Sequence, residues 1–199
     1  ACRRPKRQAN PMNPFHRWYC RSDGWAATLE TLIPWALEDV PVGEHPLELG
    51  PGPGLTTDRL ATLAPRLTCI EIDHRLADTL ARRLAGTSTT VIEGDATRMP
   101  FEDGAFSSAI SLTMLHHVPT AALQQILFAE VHRVLRPGGV FGGTDSTPRL
   151  RWYLYHLFDD CMPVDPGTLP ARLEAAGFTD VQVATRPGRF RFAARKPVA

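Results

Sequence analysis

The chain has 199 residues, 43% of them from the apolar set and 22% charged, enough to bury a core without metal or disulfide staples. Its 22 lysines and arginines nearly balance 21 aspartates and glutamates, so no overall field draws it to nucleic acid or to a membrane. Four scattered cysteines (Cys2, Cys20, Cys69 and Cys161), none in a CxxC pair or near a histidine at ligand spacing, read as reduced thiols and imply no metal.

The basic start ACRRPKRQ reads as a solvated tail, and PFHRWYC (14–20) as a possible lid carrying His16, Trp18 and Tyr19. This divides the chain into a tail and lid over 1–22 and one domain over 23–199. No run approaches the roughly 20 apolar residues of a membrane span, and the N-terminus has no apolar h-region. A cytoplasmic protein with no membrane span is expected. DGWAATLETLIPWALEDV (23–40) has apolar residues at helical spacing, with Asp23 as its N-cap and Pro34 breaking or kinking it. LELG (47–50) reads as a strand, LTTDRLATLA (55–64) as a helix and LTCIEI (67–72) as a strand, with Cys69 as a small core residue. ADTLARRLA (77–85) is helical, and TTVIEGD (89–95) and AFSSAISL (105–112) are strands. LQQILFAEVHRVL (123–135) is an amphipathic helix closed by RPGG, and GGVFGGTD (138–145) a further strand. RLRWYLYHLFDD (149–160) puts Leu150, Tyr153, Leu154, Leu157 and Phe158 on one helical face and leaves Trp152, Tyr155 and His156 to wall a pocket. LPARLEAAGF (169–178) is a helix ended by Gly177, and DVQVATRPGRFRFAARK (180–196) is a hairpin about Arg186–Arg189. Strands alternating with helices predict a doubly wound α/β fold, mostly parallel, with a C-terminal antiparallel hairpin and an N-terminal helical flank.

HPLELGPGPGLTT (45–57) places Gly50, Gly52 and Gly54 in the loop after the first strand, at the sheet edge where such folds bind ligands. Bare backbone there, followed by a helix N-terminus, suits a nucleotide-like cofactor. Glu71, about 17 residues on at the end of the second strand, can accept both hydroxyls of a ribose. Asp73 is a rival for that role but fits better as the N-cap of the helix starting at His74. The dinucleotide fingerprint wants a small residue where Leu55 stands, and no P-loop lysine is present, so NAD and nucleoside triphosphates are disfavoured.

ELGPGPG, IEID, EGDATRMPFEDGAFSSAISLTMLHHV, EVHRVLRPGG and LEAAGFTDVQV, in that order, resemble the class I S-adenosylmethionine-dependent methyltransferases, within them the ubiquinone and menaquinone group. The resemblance implies a Rossmann-like sheet, S-adenosyl-L-methionine as cofactor and a small-molecule acceptor. It assigns Glu48 and the three glycines to the first cofactor motif, with Thr56 able to hydrogen-bond the methionine carboxylate. Glu71 would hold the ribose diol, and Ile72 would pack on the adenine face. Asp95 would accept from the adenine amino group beside the backbone N–H of Ala96, and Ser111 and Leu112 would pass the methionine moiety. The family usually writes F-D where this chain has Phe106-Ser107, a loss expected to cost local stability rather than cofactor binding.

His116 and His117 lie where the transferred methyl is expected and are the candidate general bases. LHHV also occurs in family members with unlike acceptors, which favours a structural role. IEIDHRL and the basic tail also resemble rRNA adenine dimethyltransferases. Those carry an N-[LI]-P-[YF] element to clamp a flipped base, where this chain reads SLTM, so a nucleic-acid acceptor is disfavoured. A member that binds the cofactor without turnover is the other alternative.

Overall fold

The computed structural model describes residues 18–148, 153 and 161–198. The apolar runs form β1 (Pro46–Leu49), β2 (Leu67–Glu71) and β4 (Phe106–Leu112), and every residue in them is buried, as parallel strands covered on both faces require. With β3 (Thr89–Glu93), β5 (Leu135–Ser146), β6 (Thr179–Arg186) and β7 (Arg189–Arg195) they make one sheet in the order β3-β2-β1-β4-β5-β7-β6. Pairing is parallel from β3 to β5, and β7 runs antiparallel to both β5 and β6. The expected doubly wound sheet with a terminal hairpin is therefore found. The chain leaves β1 for β2 and β3, then returns to β4 on the other side of β1, so a crevice opens above the carboxyl ends of β1 and β4.

Two apolar clusters cover the two faces. Helix α1 (Asp23–Ala36) turns Trp25, Leu29, Leu32, Ile33 and Ala36 onto one face, at the spacing an amphipathic helix needs, against Leu60, Leu67, Ile110 and Val140. On the other face α4 (Ala121–Val134) buries Leu127, Phe128, Val131 and Val134 against Leu47, Leu49, Ala109 and Phe141. Helices α2 (Leu55–Leu60), α3 (His74–Arg83) and α5 (Leu169–Ala175) complete the crossovers and the C-terminal packing. Asp73 caps α3 as expected, its Oδ1 accepting from Arg75 N at 2.9 Å and Leu76 N at 3.1 Å. Gly177, at φ 98°, closes α5 with Phe178 N donating to Leu173 O.

Several boundaries differ from the sequence reading, each for a local reason. Ser22, not Asp23, caps α1, because its hydroxyl accepts from Trp25 N at 3.1 Å; Asp23 is the first helical residue. Pro34 sits in the last turn and gives up its own N–H bond, while Leu37 N still donates to Ile33 O, so α1 continues to Ala36 but not to residue 40. α2 stops at Leu60 rather than 64: Thr62 turns both its N–H and its hydroxyl back onto Arg59 O, ending the helix in a tight turn. β5 starts at Leu135, which pairs with Phe106 before RPGG bulges out and pairing resumes at Val140 with Ser108. Where the family writes aspartate, Ser107 accepts from His45 N at 3.0 Å and donates to Val42 O at 3.1 Å, tying down the loop before β1 at the sheet edge away from the crevice.

The segment 149–160 lies outside the described residues except for Tyr153, which is exposed, and so does His16 of the expected lid. Among the described residues no helix is long and apolar enough to cross a membrane.

Candidate active site

The loop after β1 rises from Glu48, a carboxylate buried at 1% exposure beneath it. Its oxygens accept from the hydroxyls of Thr56 at 2.5 Å and Thr57 at 2.7 Å and from the Cys69 thiol at 3.3 Å, which ties β1 to α2 and β2. Burial pushes the Glu48 carboxyl above its ordinary range, and the hydroxyl donors pull it part of the way back. Burial likewise pushes the Cys69 thiol up. Glu48 thus supports the loop from below, and the Thr56 hydroxyl proton, expected on a ligand carboxylate, is committed to Glu48.

The glycines divide by what stands over them. Gly50 and Gly52 both have positive φ, 61° and 56°. A Cβ on Gly50 would stand 2.3 Å from Met114 Cγ, whereas a Cβ on Gly52 would meet nothing within 4 Å. Close packing therefore requires Gly50, while the space above Gly52 is open to a ligand. Gly54, φ 92°, starts α2 with no side-chain cap. The space over the loop belongs to a cleft of about 460 Å³ whose walls include Trp25, Leu55, Leu112, Thr113, Met114 and His117. Thr113 holds φ 57°, a left-handed backbone that costs a side chain about 1–2 kcal/mol and turns the chain out of β4 over the loop.

Glu71, at 6% exposure, receives Gly52 N on Oε2 at 2.9 Å and Asp73 N on Oε1 at 3.0 Å. Burial pushes this carboxyl up, and the backbone donors of Asp73, Gly52 and, least, Ile72 oppose that. A carboxylate has about four acceptor positions, so two are left for a vicinal diol without disturbing the loop. Ile72 beside it is 51% exposed, an apolar face with no cover of its own. Asp95 uses Oδ1 for Thr97 N at 2.8 Å and the Thr97 hydroxyl at 2.7 Å, and is exposed with Ala96 half-buried next to it. These residues fit an adenosine: acids for its neutral donors, an apolar face for the base and open backbone at Gly52. Leu112 is a cleft wall. Ser111 is fully enclosed, its hydroxyl has no hydrogen-bond partner, and it is not one of the cleft-wall residues.

The two histidines part company. His116 is 2% exposed, with Nδ1 2.5 Å from Asp145 Oδ1 and its backbone N donating to Asp145 Oδ2 at 3.1 Å. It pins the Leu115–His117 turn to β5 and is not placed as a base facing the cleft. His117, whose ring lies 4.2 Å from that of His116, is half-buried and lines the cleft, with Nδ1 3.7 Å from Cys161 Sγ. Trp25, Thr113 and Met114 are cleft-wall residues that the sequence reading did not single out. Their signals were weak: an aromatic on a flanking helix, and a segment noted only for lacking a base clamp.

A family model described as a methyltransferase domain matches residues 47–142. An uncharacterized methyltransferase from Synechocystis sp. is 30% identical over 152 residues, 70% of this chain and 69% of that protein. A probable ribosomal RNA small subunit methyltransferase A from Natronomonas pharaonis is 42% identical over 83 residues, 40% of this chain and 30% of the relative's length. A fatty-acid O-methyltransferase from Mycolicibacterium smegmatis is 33% identical over 109 residues, 54% of this chain and 39% of the relative. The fold matches the crystal structure of a SAM-dependent methyltransferase from Aquifex aeolicus with a TM-score of 0.72 at 16% identity, over 92% of this chain and 98% of that one. The open loop at Gly52 and this sheet order agree with those matches: the chain belongs to the class I S-adenosylmethionine-dependent methyltransferases.

Proposed function

We propose that the chain transfers a methyl group from S-adenosylmethionine to a small acceptor with an apolar or aromatic body. The observation that carries this reading is the wall facing the glycine loop, where Trp25, Leu55, Leu112 and Met114 offer apolar surface and His117 an imidazole. The backbone of Gly50–Gly54, Glu71, Ile72, Asp95 and Ala96 would hold the cofactor, which when bound supplies an electrophilic sulfonium methyl. The task left to the chain is to hold the acceptor atom in line and keep water out, and the apolar wall suits both. For a hydroxyl acceptor, His117, a cleft-wall residue, would take the proton. The motif likeness to quinone methyltransferases favours such an acceptor on a ring.

A nucleic-acid acceptor is the second reading, because several relatives are named as rRNA methyltransferases. Against it, the segment after β4 offers Thr113 and a Met114 packed on Gly50 instead of a clamp for a flipped base. The test is incubation with methyl-labelled S-adenosylmethionine and a panel of phenols, quinols, fatty acids, amines and rRNA. Label in a small molecule supports the proposal, and label in rRNA alone overturns it. Adenosylhomocysteine binding with no transfer to any member makes the chain a binding protein and overturns it too.

A further inference from the structure

The β6–β7 hairpin carries four arginines whose surroundings differ; Arg195 lies at its far end, 3.8 Å from Asp180. Arg191 pairs with Glu38 at 3.0 Å and Asp39 at 2.8 Å, and Arg186 lies 3.9 Å over the Trp35 ring. Arg189 is the first residue of β7, in register with Ser146 at the end of β5, which puts it on the sheet edge that carries the cofactor loop. Among the described residues no carboxylate lies within ion-pair distance of it, and its Nη1 is buried with no hydrogen-bond partner. The guanidinium stands 5.5 Å from the Trp25 ring centroid, and Trp25 is a cleft wall. The acid nearby, Asp145, is already taken: Oδ1 accepts from Ser146 N at 2.6 Å and faces His116 Nδ1, and Oδ2 accepts from His116 N. Burial weighs against the guanidinium's charge, as does the neighbouring Arg186, while Tyr19 and, less, Asp145 oppose this through their fields. A planar fork of donors, partly desolvated and with an open N–H, is costly alone and suited to a carboxylate.

We infer that Arg189 recognises a carboxylate on the acceptor, so that the substrates are small apolar acids. The inference rests on the methyltransferase reading of the cleft. The methionine carboxylate of the cofactor has the same chemistry. Arg189, however, is three strands from β1 in the sheet order, about 14 Å at 4.7–4.9 Å per strand, on the side away from Glu71 and Asp95. That favours the acceptor.

The experiment uses the full chain saturated with adenosylhomocysteine and measures binding of benzoate and decanoate against benzyl alcohol and decanol by ligand-observed NMR. Wild type is expected to hold each acid about ten-fold more tightly than its alcohol, a difference that Arg189→Met reduces to within about two-fold and Arg189→Lys keeps in part. Adenosylhomocysteine affinity stays within about two-fold of wild type in both variants. Loss of that affinity from wild type itself is instead the failure of the methyltransferase reading. Equal binding of acids and alcohols, or no binding of acids, overturns the inference. So does an Arg189→Met variant that weakens adenosylhomocysteine but not 5′-methylthioadenosine, since that assigns Arg189 to the cofactor. If Arg189→Met does not fold, the wild-type ratio and Arg189→Lys decide.

Discussion

Glu71→Ala separates the two jobs that the geometry gives this carboxylate. It holds Gly52 N and Asp73 N, and in the proposed cofactor site its remaining acceptor positions would take a ribose diol. Hydrogen bonds to a charged acceptor are worth about 1.5–3 kcal/mol each, so losing two to the diol removes roughly 3 kcal/mol at the low end, near 100-fold in Kd. Losing the two backbone bonds loosens the loop by roughly 2 kcal/mol, since Asp73 N is only part-buried and water replaces one partner, which lowers Tm by about 4–8 °C in a chain of this size. Glu71→Gln is no rescue, because its amide NH2 must face one of two backbone donors. Calorimetric titration with adenosylhomocysteine, checked by thermal melts, measures both effects. The diol assignment fails if Glu71→Ala binds within about three-fold of wild type. It fails equally if an analogue lacking the 2′ and 3′ hydroxyls suffers the same fold-loss, because the effect then runs wholly through the loop.

Gly50→Ala and Gly52→Ala share the backbone strain of positive φ but not the steric consequence. Gly50→Ala drives into Met114 and should lower Tm, whereas Gly52→Ala should fold with a smaller loss yet block adenosylhomocysteine, and melts plus calorimetry distinguish them. Glu48 has a carboxyl raised by burial from its ordinary 4.5, so as pH climbs from there the folded chain keeps a proton the unfolded chain has released. Its contribution to stability therefore falls with rising pH through the folded pKa, and Glu48→Gln should flatten that decline in denaturant midpoints; a wild-type minus variant difference that grows with pH contradicts the sign. Asp145→Asn weakens three hydrogen bonds at a fully buried acceptor and should cost about 2–4 kcal/mol in urea unfolding while leaving adenosylhomocysteine affinity unchanged; a selective loss of affinity instead would place Asp145 in the cofactor site.

The sheet was legible because buried parallel strands write themselves as short apolar runs, and β1, β2 and β4 are such runs on both faces. Asp73 and Gly177 were legible because each satisfies a helix end through its own side chain or its own φ. What escaped depends on direction rather than residue type. His116 and His117 are adjacent in a 3₁₀ turn, where each step rotates the side chain by about 120°, so one faces Asp145 and the other the cleft; no composition rule chooses between them. The Thr56 hydroxyl could not be assigned without knowing that Glu48 points down beneath the loop. Met114 became a cleft-wall residue because Thr113 takes a left-handed backbone, a choice that a threonine does not announce.

The two sides of the sheet's carboxyl edge offer different groups to a ligand. Glu71 ends β2 and Asp95 follows β3 on one side, and in the proposed cofactor site they would take neutral hydroxyl and amino donors without requiring a phosphate. Arg189 stands at the start of β7 on the other side, 5.5 Å from the ring of Trp25, a wall of the cleft. A cation at that remove does not crowd a bound sulfonium, and an acidic acceptor gripped there is drawn toward the sulfonium by opposite charge. Methyl transfer turns the sulfonium into a neutral thioether, so that attraction ends with the reaction. An acid acceptor should then dissociate faster from the adenosylhomocysteine complex than from the S-adenosylmethionine complex, and stopped-flow release of a fluorescent, unreactive carboxylate from each should show it. Equal rates would mean that Arg189 acts without help from the cofactor's charge.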